Sequence, residues 1–124
     1  MNQKAMLPSE FMVLSNHIYE YKKGIRNLVL FTLNAKYESM ACERLKNQNI
    51  DYVVQRVEDR NVNIYFGESC CLDVIRTFIN RPVNQLSPEE DFMLGALLGY
   101  DICKQCTRFC KKKNQLNSAE RNIA

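Results

Sequence analysis

A chain of 124 residues with a formal net charge of +3 and 46% apolar residues suits one small globular domain. So balanced a charge argues against a dedicated nucleic-acid binder. No run of about twenty apolar residues is present to span a membrane. The opening MNQKAMLPSEF is too polar for a secretory signal, so a cytoplasmic protein is expected, whose six cysteines are thiols or metal ligands rather than disulfides.

Residues 1–10 read as a disordered arm, 11–113 as a single α+β domain and 114–124 as a polar tail. FMVLSNHI (11–18) is apolar without a clear period. YEYKKG (19–24) predicts one or two helical turns ended by Gly24. NLVLFTL (27–33) is β-rich and continuously apolar, which predicts a central strand covered on both faces. Asn34 can cap a helix over 35–47, with Tyr37, Met40, Ala41, Arg44 and Leu45 at helical spacing. DYVVQRV (51–57) and NVNIYFG (61–67), joined by a short polar turn, predict an antiparallel hairpin. Residues 69–80 form an amphipathic helix with Cys71, Leu72, Ile75, Phe78 and Ile79 on one face, stopped by Arg81-Pro82.

The order strand–helix–strand–strand–helix–helix predicts a small α+β layer with a three-stranded mixed sheet and about five helices. A right-handed crossover makes the first two strands parallel, and the third pairs antiparallel with one of them.

The last element carries the most specific pattern. Ser87, Pro88 and Glu90 have capping-box spacing. Glu89, Glu90 and Asp91 suit the positive end of a helix dipole, and Lys111, Lys112 and Lys113 the negative end. Together these predict one continuous helix over 87–113. On it, Phe92, Ala96, Gly99, Cys103, Cys106 and Cys110 repeat at alternating spacings of four and three, an a/d seam of mostly small residues. Glycine inside a helix costs about 1 kcal/mol against alanine. Gly95 and Gly99 therefore imply a return through close backbone approach, and a homodimer along this seam is expected; burial within the monomer is the alternative.

Cys103-x-x-Cys106-x-x-x-Cys110 also invites a metal or iron–sulfur reading. Along one helix Cys103 and Cys110 stand about 10 Å apart. Zinc–sulfur bonds of about 2.3 Å cannot span that. Cys103 and Cys106 alone can supply two ligands, and a dimer four. Packing of small apolar thiols is the simpler expectation, with no cofactor; a thiol- or metal-dependent redox protein using Cys103 and Cys106, with Cys70 at the start of its own helix, is the alternative. Cys42 is most simply core. His17 is the only histidine, and nothing in the sequence positions it against a cysteine. The four glycines frame no phosphate-binding loop. The balance therefore leans against an enzyme, with a cysteine enzyme that uses His17 as the third reading.

Two basic clusters stand out, Lys22, Lys23 and Arg26 beside Tyr19 and Tyr21, and Lys104, Arg108 and Lys111 to Lys113. They form a candidate surface for an acidic protein partner, with nucleic acid less favoured and solvation the bland alternative.

HIYEYKKGIRNLVLFTL (17–33), NVNIYFG (61–67) and EEDFMLGALLGYDICKQC (89–106) together resemble a small bacterial family catalogued as domain of unknown function number two thousand and twenty-three. The likeness runs from about residue 17 to 110. It implies three strands, about five helices and a homodimer. It also implies, through gene neighbourhood, a link to flavodoxins, which are acidic electron carriers. On these grounds the expected function is that of a non-enzymatic, dimeric interaction or accessory protein.

Overall fold

The computed structural model describes residues 8–123, with side chains described for 9–119. Helix α1 (Pro8–Lys22) leads into β1 (Leu28–Asn34), a 3-10 turn (Ala35–Tyr37) and α2 (Glu38–Asn47). The hairpin β2 (Asp51–Arg56) and β3 (Asn61–Gly67) follows, then α3 (Ser69–Arg76), a second 3-10 turn (Val83–Gln85), α4 (Pro88–Leu97) and α5 (Ile102–Ile123). The family-like architecture of three strands and five helices is thus present.

The sheet is wholly antiparallel, in the order β1-β3-β2, and this corrects the mixed sheet expected above. β1 and β2 do run in the same direction, as the crossover through α2 demands. β3, however, returns between them, pairing Val29 with Phe66 on one side and Val53 with Tyr65 on the other. β1 is therefore an edge strand. Its apolar run reflects cover on both faces and not a central position: Val29, Phe31 and Leu33 face one core, Leu28 the other.

Those two cores occupy the two faces of the sheet. On the first, Leu14 and Ile18 of α1 and Ala41, Cys42 and Leu45 of α2 pack against Val62, Ile64 and Phe66. On the second, Leu72 and Ile75 of α3, Phe78, and Leu94 and Leu98 of the α4 segment pack against Tyr65 and Leu28. Asn34 caps as expected, accepting from the Lys36 amide at 3.0 Å.

Residues 11–18, without a clear period, and 19–22, part of the one or two turns expected over 19–24, lie on a single helix described from Pro8 to Lys22. Gly24 follows it, and its φ of +76° allows the Ile25 amide to close on the Glu20 carbonyl at 3.0 Å. The arm expected over 1–10 lies outside the described residues as far as residue 7 and is helical from Pro8. The polar stretch that begins at residue 114 forms the second half of α5. At the end of β3, a Cβ on Gly67 would lie 2.2 Å from the Asn27 carbonyl oxygen, so only glycine lets β1 start beside it. Among the described residues, no helix is long and apolar enough to cross a membrane.

Candidate functional site

The continuous helix expected over 87–113 is two helices folded back on each other. α4 begins as the sequence indicates. The Ser87 hydroxyl accepts from the Glu90 amide at 3.1 Å, the Glu90 carboxylate accepts from the Ser87 amide at 2.9 Å, and Pro88 opens the first turn. Ten residues later it stops. Gly99 takes φ +79°, and the Tyr100 amide closes on the Gly95 carbonyl at 3.1 Å. Asp101 then caps α5, its carboxylate accepting from the Lys104 amide at 2.9 Å. Glycine as a left-handed stop followed two residues on by an aspartate cap is a local signal that the heptad spacing conceals.

Gly95 makes the fold-back close. A Cβ there would lie 2.0 Å from Gln105 Oε1. The close approach that the two glycines imply is thus made at Gly95, by α5 of the same chain, whereas Gly99 serves the turn with open space around it. Three further contacts fasten the hairpin. Arg108 grips Asp91 through two donors, at 2.8 and 3.0 Å. Lys113 meets Glu89 at 2.8 Å, and the rings of Phe92 and Phe109 meet edge-on at 5.9 Å. The Asp91 carboxylate holds the Arg108 guanidinium above its usual range; the Lys113 ammonium, through its hydrogen bond, holds the Glu89 carboxyl below its own.

The expected seam is therefore divided. Phe92 and Ala96 lie on α4, Gly99 in the turn, and Cys103, Cys106 and Cys110 on α5. Phe92 is half-buried against Phe109; Ala96 and the three thiols are exposed. At about 100° per residue the three thiols fall within about 60° of arc, turned away from the face that carries Gln105 and Phe109. They do not pack within their own chain, so the small-core role expected for them is not filled there.

α5 spans 22 residues, about 33 Å. From residue 102 to 119 none of its residues is buried. α4, by contrast, is anchored by Leu94 and Leu98, whose burial stabilises it by about 1.5–3 kcal/mol each. At the turn end of the hairpin the large apolar side chains of Tyr100 and Ile102 are exposed by 51% and 53%. At the other end, Leu86, Pro88, Lys112, Gln115, Leu116 and Ala119 line a shallow groove.

Two residues that the sequence does not advertise hold α4 in place. Gln55 is buried on β2, and its amide is fully used. Nε2 donates to the Ile79 and Arg81 carbonyls at 2.8 and 3.0 Å, while Oε1 accepts from Asn63 and Tyr65 at 3.1 and 2.8 Å. Burial pushes the Tyr65 phenol up to about 12. Arg81, whose carbonyl Gln55 holds, turns its guanidinium onto Glu90 in the first turn of α4. That contact keeps the Glu90 carboxyl below its usual range. A polar residue inside a strand otherwise looks like a surface position, which is why Gln55 is hard to find in the sequence.

The other candidates scatter. Cys70 is exposed and Cys71 half-buried in the first turn of α3, where burial, then the neighbouring thiol and Glu68, push the Cys71 thiol up. Cys42 is buried, which pushes its thiol up as well. His17 lies 5.8 Å from Phe31, with Glu20 3.6 Å from its Nδ1; burial, and then Arg26, hold its pKa below the usual value. It belongs to α1, on the opposite face of the sheet from α4 and α5. Among the described residues no three Cys, His, Asp or Glu side chains gather into a metal-binding group. The basic residues divide in the same way. Lys22 and Lys23 close α1, Lys23 over the Tyr19 ring, and Arg26 pairs with Glu20. Arg108 and Lys113 are used within the hairpin. Lys104, Lys111 and Lys112 have no carboxylate partner among the described residues.

No curated protein matches the chain. Residues 12–112 match the family described as Protein of unknown function (DUF2023), and the chain belongs to that family.

Proposed function

We propose that this is a non-enzymatic interaction protein that self-associates through the exposed face of the α4–α5 hairpin and offers the free lysines of α5 to an acidic protein partner. The observation that carries this is the exposure of α5: a 22-residue helix that rests on α4 and buries none of residues 102–119. Helices draw most of their stability from packing an apolar face. Tyr100 and Ile102 supply apolar contact that a second copy can cover. The non-enzymatic reading is supported by the separation of His17 from the exposed thiols by the sheet.

Lys104, Lys111 and Lys112 suit steering toward a negatively charged protein, such as a flavodoxin in a reducing, cytoplasmic setting. Light-scattering mass on reduced protein tests the first part. Twice the chain mass, falling to one chain mass in Ile102→Asp, supports it; a wild-type monomer at tens of micromolar overturns it. Binding to a purified flavodoxin tests the second part. Affinity that weakens with salt and with Lys104→Glu/Lys111→Glu supports it, and no binding at low salt overturns it.

A further inference from the structure

We infer that two copies of the chain build a tetrahedral thiolate site for a zinc-type divalent cation, with Cys103 and Cys106 supplied by each α5. This rests on the self-association proposed above and adds a ligand to it.

Free cysteine is among the most buried residue types, so three exposed thiols on one stripe of one helix depart from its ordinary packing role. The spacing then selects the chemistry. Side chains at i and i+3 on a helix have Cβ atoms about 5–6 Å apart. Two sulfurs each about 2.3 Å from a tetrahedral centre stand about 3.7 Å from one another, within reach of that pair without any change in backbone. A disulfide needs its Cβ atoms at about 3.5–4.5 Å, so the same pair would have to close the turn by about 1–2 Å. That turn is the one Asp101 caps. A shared cation therefore fits the helix better than an internal disulfide does.

One copy leaves the site half built. Cys110 is a further turn along, about 10 Å from Cys103. No third Cys, His, Asp or Glu gathers at the pair among the described residues. A second α5 related by a two-fold axis brings the same two thiols, which completes four soft ligands, a set that selects zinc-like ions. The surroundings suit such a pairing. On the stripe itself, Cys103, Cys106 and Cys110 are uncharged as thiols and neighbour the apolar Ile102. A divalent ion with four thiolates carries a net charge of −2. Lys104 and Lys111 stand along one side of the stripe, where their charge offsets that of the bound thiolates, and the positive ends of both α5 helices lie beside it. Binding displaces the thiol protons to solvent, so uptake strengthens as pH rises.

The test uses the full chain, reduced and freed of metal by a chelator, titrated with Co(II) as an optical probe and then with Zn(II), with light-scattering mass measured alongside. The expected result is a thiolate-to-cobalt absorption band that saturates at one ion per two chains and is displaced by zinc. Cys103→Ser and Cys106→Ser abolish it; Cys110→Ser and Cys70→Ser keep it. All four positions are exposed, and circular dichroism confirms that the variants fold. No uptake at micromolar cobalt, one ion per single chain, or a band that survives in the Cys103→Ser/Cys106→Ser double variant overturns the inference. A metal-free dimer that takes up no ion overturns this site and leaves self-association standing. A monomer under every condition overturns both.

Discussion

The Gln105 side chain of α5 fills the space over Gly95 of α4: a Cβ on Gly95 would fall 2.0 Å from the Gln105 amide oxygen. The obstacle is the end of a flexible side chain. Gly95→Ala gains about 1 kcal/mol in helix propensity and loses a comparable amount by displacing Gln105. Its stability in urea should therefore stay within about 1 kcal/mol of wild type. Gly95→Leu has no room and should destabilise the protein by about 1–3 kcal/mol. Adding Gln105→Ala should recover part of that loss, the coupling expected of two residues in contact.

Gly99 presents the opposite situation, with open space but a φ of +79°. Gly99→Ala should cost about 1–2 kcal/mol through backbone strain alone, and Gly99→Asn clearly less. Equal losses for alanine and asparagine in thermal or urea unfolding would contradict the turn's role.

Gln55 satisfies two backbone carbonyls and two side chains at once. Gln55→Leu keeps the volume and strands all four partners. A loss of about 2–4 kcal/mol is expected from the desolvated groups. Because Gln55 holds the segment leading into α4, hydrogen exchange in residues 79–97 should accelerate more than in α2.

Acidification should destabilise the protein in two stages. His17 has a folded pKa below its unfolded value of about 6.5, so the unfolded chain binds the proton first. Its contribution is present above that unfolded value and is lost as pH falls through the folded one. Glu89 and Glu90 are depressed below the ordinary carboxylate range by Lys113 and Arg81, so their contribution is present above about pH 4.3 and is lost on further acidification. Melting temperature should therefore drop below pH 6.5 and again below pH 4.3. His17→Gln should flatten the first drop and Lys113→Met should reduce the second. An unchanged profile in both variants would contradict these assignments.

Much of the fold is legible because local chemistry and tertiary structure agree. The Ser87–Glu90 capping box, the Asn34 cap and the hairpin of β2 and β3 all form where the sequence places them. The helix break at Gly99 is hidden because an acidic start and a basic end suit one helix as well as two, and Asp101 reads as a surface residue until its capping bond is seen. The strand order is hidden for a different reason. The apolar run of β1 reports cover on its faces, while pairing is decided by the chain's return through β3. Residues 8–22 are hard to read as a helix because Phe11, Met12 and Val13 are exposed apolar groups that blur its period. Within the candidate site, the cysteine spacing is plain in the sequence. The exposure of all three thiols is not, since it depends on which face of α5 meets α4.

The central claim is that the outer face of the α4–α5 hairpin is covered by a second copy. Hydrogen–deuterium exchange at low and high protein concentration tests it most directly. Protection of amides across residues 93–110 should rise with concentration while that of β3, already buried within the chain, stays constant. Protection of 93–110 that does not depend on concentration, in a particle of one chain mass, would contradict the claim.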